Sequence, residues 1–486
     1  MFRTGTLLLA SLSCWLGSLA HAADFTELDR QLRAGELGSI KSLLIAQNGE
    51  VVFEGYYRGT QANTLHLLNS VSKSLGATLV GIAHRQQRLR LEEPVSALLP
   101  QYDWNGDPAL RTHRALTLAQ ILTMRTGIAW DEWSTDYRDP NNSVAAMLAS
   151  SDWYRHVLTR PAAQPAGTHY TYNSGVSTLM SGILRARTGL SPQAFAQREL
   201  FAPLGIEQFH IEGWSAQGMG FGMTRFPFGD APLGFAWWLT ARDLLKLGEL
   251  YRNDGVVNGQ RLLDHEWIAA SWARYSHQGN STVWTTPDGG YGYQWWLTRM
   301  PDARGRSFEV AYADGWGRQY LLIFPELDLT IASTAEDYDY DGPGMGYALR
   351  NLILDQFDPV LDARFSGSWY DPQKVGQGLN LEILEDRQEA VVYWYTYTTS
   401  GQQQWLYGQG PITDGQAELT LYRPSGGQFL QSEPPADIVP VGQASLRFSD
   451  CQHGELRFQL DGADGEYPIQ RLTGRCDSGA IGGRVP

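Results

Sequence analysis

The chain has 486 residues, a formal charge of −14 and 19% charged side chains. That length allows two or three domains. An acidic balance of this size excludes a protein built to grip a phosphate backbone, which needs a basic surface, so no nucleic-acid partner is expected.

The N-terminus reads as an export signal over residues 1–22. Arg3 supplies the charged start, Thr6 to Leu19 are mostly apolar or small, and Ala20-His21-Ala22 fits a small-residue cleavage site. The mature chain would then begin near Ala23, in the periplasm or secreted; the rival reading is an uncleaved anchor. No later stretch has the length that a membrane span needs.

From Ser42 to Gly59 two β-rich runs flank Asn48-Gly49, a turn pair that predicts a hairpin. After Ser70 the period changes: Leu75, Leu79, Ile82 and Ala83 recur at helical spacing, with Pro94 beyond the end. Leu116 to Glu132 predicts a further short helix ending at Gly127. Leu239 to Gly255 predicts an amphipathic helix with Thr240 as N-cap and Gly255 past its end. Arg318 to Ala335 predicts two strands around Pro325, and a helical stretch closes the region at Phe357. Hairpins at both ends with helices between them predict an α+β domain, one antiparallel sheet packed with helices, over residues 23–358.

Beyond that boundary the texture is aromatic, β-branched and broken by glycine, which predicts a separate all-β domain, a small barrel or sandwich, over residues 365–486. Its aromatics, Trp369, Tyr393, Trp394, Tyr395, Tyr397, Trp405 and Tyr407, fit either a packed core or a stacking platform for glycans. Cys451 and Cys476 are expected to form one disulfide in an exported chain, two buried thiols being the alternative. Only His453 lies near them, so no zinc site is expected.

The chemistry centres on Ser70 and Lys73, three residues apart at a helix start and therefore on one helical face. A serine hydroxyl is a weak nucleophile until a base takes its proton. A lysine can be that base if burial lowers its pKa. Taken alone, the pair is equally a serine cap beside a solvated lysine. Other engines are missing. No G-x-S-x-G occurs, and "HEWIA" at His265 lacks the second histidine of a zinc protease. The acidic stretch Asp337 to Gly342 lacks the closing glutamate of a calcium loop, Ala348 standing in its place, and reads as a solvated loop. Gly218 to Gly222 follows no clear strand and reads as a flexible loop. No metal and no cofactor is called for.

The order of "SVSK", "HYTYNSG" and "YADGWGRQYLLIFP" resembles the three motifs of serine β-lactamase-like hydrolases, over roughly residues 40–357. This family includes class C β-lactamases, D-alanyl-peptidases, family VIII-type esterases and 6-aminohexanoate-dimer hydrolases. The resemblance implies Ser70 as the acylated nucleophile, Lys73 as its proton partner and Tyr172 as the second base, with Tyr170 close enough to confuse the register. Ser174 stands where many relatives carry asparagine. The third motif falls on Ala313-Asp314-Gly315, and the N–H groups of Ser70 and Trp316 would hold the oxyanion. Ala313 removes the cation that relatives place there. Arg318 either replaces it in binding substrate or serves as a structural ion-pair partner.

The reading that follows is a serine hydrolase cleaving a small ester, amide or peptide-like substrate through an acyl-serine. One alternative is a β-lactamase or D-alanyl-peptidase acting on cell-wall-like substrates. The other is an acylated binding or sensor protein with little turnover. Glycan contact is expected, if anywhere, through the C-terminal domain.

Overall fold

The structure, a computed structural model, describes residues 23–473 apart from 138, 213–225, 278–288, 414 and 427–436. The export signal, the Gly218–Gly222 loop and Cys476 lie outside the described residues. Cys451 is buried in the second domain. Among the described residues no helix is long and apolar enough to cross a membrane.

The first domain is built on an antiparallel sheet whose strands run, side by side, Glu50–Tyr56, Ile40–Gln47, Leu329–Ala335, Gln319–Phe324, Ser307–Gly315, Trp296–Pro301, Gly290–Tyr291 and Ser276–His277. The first hairpin turns where its sequence predicts. Asn48 and Gly49 both hold positive φ, 52° and 82°, as a turn that matches the strand twist requires. The strands Gln319–Phe324 and Leu329–Ala335 are buried along their whole length; the first is apolar from Tyr320 to Phe324, while the second buries Thr330, Ser333 and Thr334 among its apolar residues.

Helices cover the sheet. Ala241–Arg252 lies across Leu329–Ala335, Ile40–Gln47 and Gln319–Phe324. Its N-cap is Thr240, whose hydroxyl accepts from the Asp243 amide at 3.1 Å, and Gly255 follows at φ 76°. Ser72–Arg85 packs against Ser174–Thr188 and against the Ser307–Gly315 strand.

The helix expected from Leu116 to Gly127 is shorter. It spans Leu118–Leu122, started by a reciprocal cap between Thr117 and Gln120. Met124 then takes φ 53°, which an α-helix does not tolerate, and the chain runs on in irregular form to Glu132. The acidic loop after Ala335 also differs from expectation: Asp337 is buried and ion-paired with Arg318 at 3.0 Å, so the loop is anchored rather than solvated throughout.

The second domain is a closed up-and-down barrel of eight strands from Gly367–Tyr370 to Ala463–Arg471, all neighbours antiparallel. Trp369 pairs with Arg471 and Tyr370 with Gln470 to close it. The strand Glu389–Tyr397 shows the alternation of a barrel wall: Val392 and Trp394 point to the core, while Tyr393, Tyr395 and Tyr397 are exposed. The two readings of the aromatics therefore divide by residue. Trp369 and Trp394 are core; Tyr393, Tyr395, Tyr397 and Trp405 form an outward face, with Tyr395 directly opposite Trp405.

Candidate active site

Ser70 sits in the turn Asn69–Val71 that leads into the helix Ser72–Arg85. Asn69 holds φ 48°, a left-handed backbone that asparagine adopts more readily than most side chains. Its amide donates to the Trp316 carbonyl at 2.6 Å, tying the serine turn to the residue just past the Ser307–Gly315 strand. Gly315 lets these two pieces of backbone meet. A Cβ there would come within 2.2 Å of the Leu68 carbonyl oxygen.

Lys73 is 2% exposed. Its ammonium donates to Ser70 Oγ and to the Gly234 carbonyl, each at 2.9 Å. Burial drives the amine down from its ordinary value to about 8, against the pull of the Glu132 and Asp314 carboxylates. With a value of about 8, roughly a tenth of the amine is neutral at pH 7, far more than for an ordinary lysine, which favours proton acceptance.

Tyr172 lies on the other side of the serine. Its ring is stacked between Trp133, at 4.9 Å, and Trp296, at 5.7 Å, and the Lys73 ammonium lies 4.8 Å from the ring centre. Burial, then the charges of Tyr291, Glu132 and Tyr137, hold the phenol well above its usual range; a hydrogen bond with Ser70 works the other way. Tyr172 is thus a phenol that keeps its proton beside the serine. Tyr170, the competing tyrosine, packs against Tyr291 and Trp296, and its buried hydroxyl has no hydrogen-bond partner.

Around this core opens a cavity of about 120 Å³. Among the described residues its lining is Ser70, Asp314 and six aromatic rings: Trp133, Tyr137, Tyr172, Trp296, Trp316 and Tyr340. The structure brings Ser70, Tyr172 and Trp316 to one cavity with Lys73 directly behind. It does not bring Ser174 or Arg318 there. The Ser174 hydroxyl and amide both donate to Glu132, at 2.8 Å each. Arg318 is held by Asp337 and lies over the Tyr340 ring at 5.4 Å. Ala313 is buried in the strand.

Several residues of this site are missed by reading motifs. Glu132, 3% exposed, gathers the Ser174 amide and hydroxyl, the Trp130 indole and the Tyr137 hydroxyl. It thereby fixes the start of the Ser174–Thr188 helix against the wall that carries Trp133 and Tyr137. Asp314 reaches the cavity from the third motif. The available signal was the density of Trp, Tyr and acidic residues just after Gly127, which no spacing rule assigns to a site.

Comparison with known proteins agrees with this architecture. Residues 39–346 match the profile of the family described as Beta-lactamase. A 6-aminohexanoate-dimer hydrolase from Paenarthrobacter ureafaciens is 27% identical over 339 residues, 66% of this chain and 79% of that protein. Among solved structures, the hydrolase EstCE1, described as having promiscuous acyltransferase activity, superposes with a TM-score of 0.50 at 17% identity, covering 68% of this chain and 96% of that one. The octameric penicillin-binding protein homologue from Pyrococcus abyssi gives 0.50 at 14% identity, covering 91% and 98%. These two likenesses are of fold.

Proposed function

The chain belongs to the beta-lactamase family, and from that premise we propose that it is an exported serine hydrolase that cleaves an ester or amide through an acyl-serine intermediate. The observation that carries the reading is the 2.9 Å contact between Ser70 Oγ and the amine of buried Lys73, at the floor of an aromatic cavity. Neutral Lys73 takes the Ser70 proton as Oγ attacks the substrate carbonyl. The N–H groups of Ser70 and Trp316 receive the developing oxyanion. Tyr172, which lines the cavity beside Ser70, passes a proton from the Lys73 side to the departing alcohol or amine. Water then attacks the acyl-serine with the same groups working in reverse, and Ser70 regains its proton.

Substrate class follows from charge. Ala313 offers no cation for a substrate carboxylate, Arg318 is committed to Asp337, and among the described residues the charged side chain that lines the cavity is Asp314. This disfavours the β-lactamase alternative and supports esters or simple amides. The Paenarthrobacter ureafaciens relative, named as a hydrolase of a 6-aminohexanoate dimer, supports the amide side of that class. Intact-mass analysis after treatment with a serine-reactive phosphonate tests the reading. One adduct on the wild type and none on Ser70→Ala supports it, and an equally labelled variant overturns it. Burst and steady-state rates on p-nitrophenyl esters separate an enzyme from an acylated sensor.

Export and the Cys451–Cys476 bridge belong to the same proposal. N-terminal sequencing of the secreted protein and non-reducing peptide mapping test them. The outward face of Tyr393, Tyr395, Tyr397 and Trp405 supports a glycan-stacking role for the barrel, tested by retention on immobilised polysaccharides with and without Trp405→Ala.

A further inference from the structure

We infer that Trp133 is a positioning residue of the reaction: its indole holds the Tyr172 ring against Trp296 and so keeps the phenol in line to hand a proton to the leaving group. This inference rests on the serine-hydrolase reading above and adds a residue to that same site.

Three observations support it. First, the three rings are near parallel. Trp133 and Trp296 lie 24° and 17° from the plane of Tyr172, with centroids 4.9 and 5.7 Å away. A ring packed between two others can shift only within its own plane, so its hydroxyl keeps one place.

Second, both indoles are themselves held. Trp296 is buried, pairs in the sheet with Tyr291 and Tyr312, and meets the edge of the Tyr291 ring at 4.9 Å. Trp133 stands on irregular chain, yet that chain is pinned. Asp131 Oδ1 accepts from the amides of Trp133 and Ser134 at 3.1 and 3.0 Å. The Asp131 amide donates to Ser143 Oγ at 3.0 Å, and the side-chain amide of buried Asn142 donates to the Glu132 carbonyl at 3.2 Å.

Third, Trp133 is 47% exposed while Tyr172 is 9% exposed. The outer indole stands between the tyrosine and solvent, and its inner face is taken by that ring rather than left for a ligand. The Lys73 ammonium lies 4.8 Å from the centre of the same ring. Removing the indole frees the tyrosine to tilt outward and lets water compete for its hydroxyl, and both effects loosen the proton transfer.

Two esters of one acyl group, ethyl and p-nitrophenyl, test the proposal. They form the same acyl-serine and differ in whether the departing oxygen needs a proton. Hydrolysis by the full chain is followed by pH-stat. Trp133→Leu should lower kcat/KM for the ethyl ester about tenfold further than for the nitrophenyl ester. Trp133→Phe keeps a ring to stack and should shift that ratio by no more than about threefold. In a Tyr172→Phe background, Trp133→Leu should leave the ratio unchanged, because the proton it serves is gone. Ratios are compared within each protein, so a general loss of activity does not enter, and Trp133→Met takes the place of Trp133→Leu should that variant not fold. Equal losses on the two esters would mean that Trp133 acts on the acyl group or the fold, and would overturn the inference. So would an ethyl-specific loss that persists in Tyr172→Phe, or a Trp133→Phe protein as damaged as Trp133→Leu. If Ser70 of the wild type is labelled by the phosphonate and the ratio does not move, this inference alone fails. If the wild type is neither labelled nor active, the serine-hydrolase reading is the one that fails.

Discussion

Gly315→Ala adds one methyl group where the Ser307–Gly315 strand passes the serine turn. The new Cβ would lie 2.2 Å from the Leu68 carbonyl oxygen, and real Cβ contacts essentially never fall below 3.0 Å. The backbones must therefore part by roughly 0.8 Å, because neither is a flexible side chain that can swing away. Both are held: the Leu68 amide donates to the Trp237 carbonyl at 2.8 Å, and the strand is paired on both sides. The displacement falls between Ser70 and the amide of Trp316, the two proposed oxyanion donors. Losing one such donor costs about 10²–10³ in kcat, and a misplacement near 1 Å costs about 10². A kcat roughly 100-fold below wild type on a p-nitrophenyl ester is expected, with KM within a few-fold. Overpacking should cost about 1–3 kcal/mol of stability, leaving the protein folded at 25 °C. Far-ultraviolet circular dichroism and complete, slower phosphonate labelling at Ser70 would show that the fold and nucleophile survive. A folded Gly315→Ala protein with kcat within threefold of wild type would refute the placement of the oxyanion site.

Lys73 gives a prediction in pH. Its folded value of about 8 lies below its ordinary value of 10.5, so kcat/KM should climb as pH rises through about 8, and Glu132→Gln should move that limb to lower pH by removing a charge that favours the ammonium. The same depression means the folded state holds the charged lysine at a cost below pH 8, one that shrinks as pH rises toward 10.5. Lys73→Met should be inactive yet, at pH 7, more stable than wild type by about 1–3 kcal/mol, in chemical denaturation. Tyr172→Phe should lower kcat by about 10² while its stacked ring keeps the fold. Tyr170→Phe should leave kcat within a few-fold and stabilise the domain by about 1 kcal/mol, since it removes an unpartnered buried hydroxyl. Arg318→Ala should destabilise by about 3–5 kcal/mol, because it strands buried Asp337, yet leave the ratio of ester to cephalosporin turnover unchanged; a collapse of cephalosporin turnover would show that Arg318 does hold substrate.

The parts of this molecule legible in its sequence are those whose cause is local. Asn48-Gly49 makes its hairpin, Thr240 caps its helix, and the spacing of Leu75, Leu79 and Ile82 follows one buried face. The Leu116 to Gly127 stretch misleads because Leu118, Ile121, Leu122, Met124 and Ile128 are all buried. Their spacing imitates a helix, while the backbone has already left it at Met124. That departure delivers Glu132 and Trp133 to the serine, and no residue before Gly127 announces it. Asp314 is hidden for a different reason: the Ser307–Gly315 strand is buried on both faces from Phe308 onward, so no alternation marks the side that faces the cavity. Ser174 shows the limit of motif transfer. Its position in the motif names it as a substrate contact, and a carboxylate 42 residues earlier in the chain takes its hydroxyl instead.

The closure of the barrel has a consequence for how such a module moves between genes. Because Trp369 pairs with Arg471, the chain enters and leaves the domain at neighbouring points on one seam. A unit whose ends meet can be spliced into a surface loop of a host, or excised from it, without stretching either partner. Closure also leaves no unpaired strand edge on which a displaced copy could stack. The barrel is in this sense a portable cassette, and grafting residues 363–486, both cysteines included, into an exposed loop of an unrelated carrier should yield two independently folded bodies.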